Sequence, residues 1–142
     1  MGFKVFVDTI TVSTSKRFEL IDITDRVEEI VEKSGIEKGM CLVFAPHATA
    51  AIIANEHEYG LMNDILDLVK EVFKPDYSWR HNRIDDNAHA HLGSAFIGAF
   101  QVFPVVGGRL VRGTWQNIFL LEMDGPRSVR RIVVVVMGEG RD

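Results

Sequence analysis

The sequence predicts an α+β protein, with mainly antiparallel, sandwich-like β-sheets and two or three helices packed on them, in one domain over residues 1–142. Three patterns point to it. Strand-like runs open the chain and fill its last third, only three segments carry helical signals, and no low-complexity linker or internal repeat divides the chain. At 142 residues the chain is long enough to bury a substantial core.

The elements follow in order. Residues 3–12 set Phe3, Val5 and Val7 against Lys4, Phe6 and Asp8, the period-two signature of a strand. Thr14-Ser15-Lys16-Arg17 reads as a turn, and Phe18 to Ile23 as the returning strand. Thr24-Asp25 offers an N-cap with Glu28 three residues past Asp25, and Val27, Ile30 and Val31 form the stripe of a short helix ending near Gly35. Met40–Ala45 is a buried-strand run, and Ala48–Ala54 continues in small and β-branched residues after Pro46-His47. Leu61, Ile65, Leu68, Val69 and Val72 repeat at helical spacing over Tyr59–Phe73, and Pro75 closes that helix. Residues 74–87 form a long irregular stretch, the kind of loop that carries function in a small domain. Asn87 is a good N-cap for a helix running to about Ala99.

The remainder reads as sheet. Phe100–Val106 turns at Gly107-Gly108 into Arg109–Arg112, and Asn117–Met123 and Arg131–Met137 follow. Five consecutive β-branched residues, Ile132–Val136, predict a strand covered on both faces, by this chain or by neighbouring subunits.

Composition narrows the function classes. A formal charge of −4 argues against nucleic acid as the main partner, which needs a concentrated basic face. No apolar run approaches the roughly 20 residues of a membrane span, and the first residues lack a signal-peptide core. The single cysteine, Cys41, sits among Met40, Leu42, Val43 and Phe44 and reads as a small buried hydrophobe. These features predict a cytoplasmic protein.

The chemistry lies with five histidines, His47, His57, His81, His89 and His91. Imidazole suits zinc and other borderline metals, yet the spacing matches no compact zinc motif, so any shared site is assembled by the fold. On a helix, His89 and His91 point about 200° apart and cannot both face one small site. His91, on a face with Ser94, Ala95 and Gly98, is the better ligand, and His89, with Leu92 and Phe96, is a rim residue. Glu56 stands either at the solvent edge or as a general base, and Asp85 and Asp86 either orient imidazoles or cap the next helix. Asp64 and Asp67 fall on the polar side of the long helix. Trp115, in Gly113-Thr114-Trp115-Gln116, reads as core filler or as a contact surface. Arg127, after Asp124-Gly125-Pro126, suits either a hairpin end or phosphate.

Pro46-His47-Ala48-Thr49-Ala50, Asn55-Glu56, Asp64, His81, Asp86-Asn87-Ala88-His89-Ala90-His91-Leu92, Gly98, Pro104-Val105, Gly113-Thr114-Trp115-Gln116 and Asp124-Gly125-Pro126-Arg127 together resemble the YjbQ family, across nearly the whole chain. The resemblance implies a small trimeric α+β protein with its polar signature in a cleft near a subunit boundary, in some members metal-bearing. It also implies a secondary thiamine-phosphate synthase activity, joining a pyrimidine diphosphate to a thiazole phosphate with loss of diphosphate. His47, Glu56, His81 and His91 carry over as site residues, with Asn55, Asp86, Thr114, Trp115, Gln116 and Arg127 as substrate contacts. His89 matches less well.

The leading expectation is a metal-assisted enzyme on a small phosphorylated or heteroaromatic substrate. His47, His81 and His91 hold a divalent metal, zinc by ligand type, while Glu56 serves as base and Arg127 meets phosphate. A diphosphate leaving group favours magnesium, which three imidazoles suit poorly. The alternatives are a metal-dependent hydrolase and a non-enzymatic homotrimeric metal- or metabolite-binding module.

Overall fold

The structure, a computed structural model, describes residues 2–141. Twelve elements are arranged in order as β1 (Phe3–Thr14), β2 (Glu19–Asp22), α1 (Thr24–Ser34), β3 (Ile36–Phe44), β4 (Ala50–Asn55), α2 (Tyr59–Val72), a 3-10 turn (Arg80–Arg83), α3 (Ala88–Ile97), β5 (Phe100–Val106), β6 (Arg109–Leu110), β7 (Asn117–Glu122) and β8 (Arg127–Gly140). Every strand pairing is antiparallel. A five-stranded sheet runs β1-β8-β3-β5-β6 and a three-stranded sheet runs β2-β7-β4. The predicted α+β class holds.

The core between the sheets comes from one face of each. On β1 and β8, Ile10, Val12, Ile132, Val134 and Val136 point inward to meet Ile52, Ile118 and Leu120 of the smaller sheet and Val27, Ile30 and Val31 of α1. The other face of the smaller sheet, with Ala51, Phe119, Leu121 and Met123, is covered by α2 and α3. Cys41 is fully buried, and that burial pushes its thiol up to about 12, so it is an inert hydrophobe.

Several local expectations are corrected. The box at Asp25 and Glu28 does not form: Asp22 Oδ1 accepts from the Thr24 N–H and hydroxyl at 2.9 and 2.6 Å, and Glu28 pairs with Arg112. Asn87 occupies the N-cap position of α3 without capping it, and Asn82 Oδ1 takes the Ala88 N–H at 3.2 Å. The Gly125-Pro126 turn leads directly into β8 at Arg127, earlier than the apolar run indicates. Within this chain the strand at 132–136 is covered on one face, and Val133 and Val135 on the outer face are half-buried.

That outer face is apolar across four strands. Cross-strand rows run Val7–Val135–Leu42–Val102 and Val5–Met137–Met40–Pro104, with Val133–Phe44–Phe100 beside them. Val5, Val7, Met40, Phe100 and Val102 are exposed.

Candidate functional site

The long 74–87 loop and the start of α3 build the main site. The 3-10 turn carries His81 and helix α3 carries His91, and their rings meet edge-on with centroids 4.8 Å apart. With Trp79, Arg80, Ala88 and Leu92 they line a cavity of about 360 Å³. The helix geometry expected from the sequence separates the two α3 histidines, but with different neighbours. His89, Ala90, Gly93 and Ser94 are buried, while Ala95 is exposed. Gly93 permits this close approach, because a Cβ there would lie 2.5 Å from Met123 Sδ. His89 is no rim residue: it is fully buried, Nε2 donates to the Met123 carbonyl at 3.0 Å, and Nδ1 is without a partner.

A chain of hydrogen bonds fixes the His81 tautomer. Arg127 donates to Asp124 Oδ2 at 2.6 Å, and Asn87 Nδ2 donates to the same oxygen at 2.9 Å. A carboxylate only accepts, so the Asn87 amide nitrogen must face it and Oδ1 must face His81. His81 Nε2 lies 3.2 Å from that Oδ1 and therefore carries the hydrogen, leaving the Nδ1 lone pair available on the neutral ring. An imidazole whose far N–H is held by an acceptor is the arrangement metal-binding histidines use. His81 fits a divalent metal on this ground, and His91 brings a second imidazole beside it.

His47 stands apart from the pair. Its Nε2 accepts the Arg131 N–H at 2.9 Å, so the neutral ring carries its hydrogen on Nδ1 and neither nitrogen offers a free lone pair. Burial and then the Arg130 charge hold the imidazole below its usual range. It joins a metal site only by exchanging the Arg131 bond. Among the described residues, no three His, Cys, Asp or Glu side chains converge on a metal position. The His47 loop is anchored from beneath. Arg130, buried, donates to Thr49 Oγ1 at 2.9 Å and pairs with the fully buried Glu122, which also accepts from the Thr14 hydroxyl at 2.7 Å.

The other candidates lie elsewhere. Ala50 pairs with Glu122 and Asn55 with Asn117, five strand steps apart. His47 precedes the first pair and Glu56 follows the second, so about 17 Å of strand separates them. Asn55 is exposed, and its Oδ1 accepts the Glu56 N–H at 2.8 Å. Gln116 Oε1 accepts the Gly113 N–H at 2.6 Å. Thr114 lines a separate cavity of about 610 Å³ with Arg109, Arg112 and α1 carboxylates such as Glu28 and Glu32. Trp115 is 69% exposed, so its role as core filler is overturned. Asp86 is exposed near His81, its carbonyl held by Arg17 at 3.0 Å.

Sequence reasoning missed Trp79, Arg80 and Asp124. The first two lie in the loop singled out by its length, where Trp79 Nε1 donates to the Lys74 carbonyl and its ring contacts Tyr77. Asp124 lies in the Asp-Gly-Pro-Arg turn, where only Arg127 drew attention.

The family model for UPF0047 protein YjbQ-like matches residues 8–139. A UPF0047 protein of Methanothermobacter thermautotrophicus is 44% identical over 136 residues, 96% of this chain and 94% of its own. One from Archaeoglobus fulgidus is 46% identical, over 88% of this chain and 96% of its own. Among solved structures, a YbjQ-like protein of unknown function from Sulfolobus solfataricus superposes with a TM-score of 0.97 at 65% identity, over 97% of this chain and all of that one. A hypothetical protein from Aeropyrum pernix K1 reaches 0.91 at 46% identity, over 94% and 99%. With the family model matching residues 8–139 and its two-sheet fold shared with these relatives, the chain belongs to the YjbQ-like UPF0047 family.

Proposed function

We propose that the His81–His91 cavity is the reaction site of a metal-assisted enzyme acting on a small phosphorylated, heteroaromatic substrate. The observation that carries this reading is the histidine pair itself, one ring held in a fixed tautomer beside a cavity with an indole wall and a guanidinium. Trp79 offers a face for a heteroaromatic ring, and Arg80 and Arg127 offer charge for phosphate. A bound zinc-like ion would supply Lewis acidity there, with His81 and His91 as ligands and His47 as the third after release from Arg131.

The reaction that accords with the family resemblance is thiamine-phosphate synthesis. A thiazole nitrogen forms a C–N bond to the pyrimidine methylene, and the C–O bond to diphosphate breaks with its electrons leaving on diphosphate. In this reading the residues of the chain orient the two rings and neutralise the leaving group. Glu56 and the Thr114–Gln116 segment, remote within one chain, reach the cavity from a second copy in a cytoplasmic homotrimer. The apolar outer face of the larger sheet supports such self-association.

The test is direct. The purified protein, metal-depleted and then reloaded with zinc or magnesium, is given the pyrimidine diphosphate and thiazole phosphate. Thiamine phosphate with stoichiometric diphosphate is expected, and His81→Ala and His91→Ala abolish turnover and lower metal content. Phosphate or diphosphate release without coupled product favours a metal-dependent hydrolase. Binding without turnover favours a metabolite-binding module, and equal metal in wild type and variants removes the metal from the proposal. Light scattering at micromolar concentration checks for a mass of three chains.

A further inference from the structure

We propose that Asp22 and His57 form a second functional centre, a proton-transfer dyad at the Asn117 end of the smaller sheet, acting through His57 Nε2 on a neutral or cationic substrate. Within one chain neither Asp22 nor His57 lines the His81–His91 cavity, and the test below is run without metal.

The geometry begins at Asp22. Oδ1 accepts from the Thr24 N–H at 2.9 Å and its hydroxyl at 2.6 Å, and Oδ2 accepts from Asn117 Nδ2 at 2.7 Å and His57 Nδ1 at 2.6 Å. Four donors fix both oxygens. Burial opposes the charge, but the hydrogen bonds from Thr24, His57 and Asn117 outweigh it and hold the carboxyl below its usual range. Because Oδ2 only accepts, the His57 hydrogen sits on Nδ1 and the neutral ring keeps its lone pair on Nε2, directed away from Asp22. The ring also rests on the fully buried Phe119, with centroids 5.5 Å apart. It is held from two sides while its side chain remains 51% exposed.

A base oriented by a carboxylate through its far nitrogen is the arrangement that activates a hydroxyl or water nucleophile. The surroundings choose the ligand class. Glu58 lies next to His57 in sequence, and with Asp22 it gives this region negative charge, which disfavours anionic substrates. In the step proposed, an attacking water forms an O–C bond to an ester carbonyl carbon while its proton passes to Nε2. The carbon–oxygen bond to the leaving group then breaks, and the proton leaves Nε2 for the departing oxygen or for solvent.

Hydrolysis of 4-nitrophenyl acetate, a neutral probe, tests this in the presence of a chelator, so that loss of the metal reading leaves the result intact. His57→Gln is expected to lower the protein-dependent rate at least about ten-fold, and Asp22→Asn to lower it in the same direction. The wild-type rate is expected to fall in D2O. Because Asp22→Asn also disturbs the start of α1, a second measurement reads the tautomer directly. Proton–nitrogen correlation spectra of wild type are expected to show His57 protonated at Nδ1 in its neutral form. A wild-type rate in His57→Gln, a hydrogen on Nε2, or an acetyl-His57 adduct formed without a D2O effect would each overturn the dyad.

Discussion

The two ends of the three-stranded sheet hold different chemistry built in different ways. At the Glu122 end the polar groups form a buried scaffold: Glu122, Arg130, Asn87 and His89 are all nearly or fully inaccessible, and they connect both sheets to α3. At the Asn117 end Asn55, His57 and Gln116 are exposed, and Asn55 and Gln116 bond to backbone N–H groups within three residues of themselves. Removing a partner at the first end strands a charge or amide in a water-free setting. At the second end water replaces what is removed, so residues there serve chemistry at little cost to stability.

The largest expected effect breaks the first end. Arg130→Met leaves Glu122 buried without its partner and is expected to cost about 3–5 kcal/mol in chemical denaturation. A cost below 1 kcal/mol would show that Glu122 reaches water and that the two ends do not differ as described. Next is Asn87→Ala, which takes the acceptor from His81 and a donor from Asp124, at about 1–3 kcal/mol by thermal unfolding.

Acid separates the ends more finely. For Glu122 burial opposes ionisation, yet Arg130, the Asp124 N–H and the Thr14 hydroxyl outweigh it, and its carboxyl lies below the usual range, as does that of Asp22. A carboxyl lowered on folding binds fewer protons in the folded state than in the unfolded chain. Its stabilisation is therefore complete above the unfolded value of about 4 and lost as pH falls through the folded one. Denaturation midpoints across pH 6 to 2.5 are expected to fall steeply in wild type and less steeply in Glu122→Gln. An unchanged slope would remove Glu122 from the acid response. The smallest effect lies on an exposed residue: Trp115→Ala is expected to stay within about 0.5 kcal/mol of wild type in urea.

Much of the fold was legible because burial imposes a period. The stripe at Val27, Ile30 and Val31 and the apolar runs before Gly107 and after Asn117 each correspond to an observed element, and the alternation at Phe3–Asp8 to a strand whose Phe3, Val5 and Val7 lie on the exposed face. The helix boundary devices were not legible. Asp22, Asn82 and Asn87 are all competent caps by residue type, and which of them caps depends on what else each side chain can reach. The same holds for the histidines. Helix geometry separates His89 from His91, but the neighbours of each depend on Gly93 meeting Met123, a contact thirty residues apart in the chain.

By itself the sequence determined the two-sheet α+β class, the buried cysteine and a histidine-bearing loop, because periodicity and composition are local properties of the chain. Tertiary structure decided which imidazoles meet. It paired His81 with His91, tied His47 to the Arg131 backbone, sank His89 beneath Met123 and set His57 on Asp22. The lone pair each ring keeps depends on which acceptor or donor lies within about 3 Å, and strand register between remote segments fixes that distance.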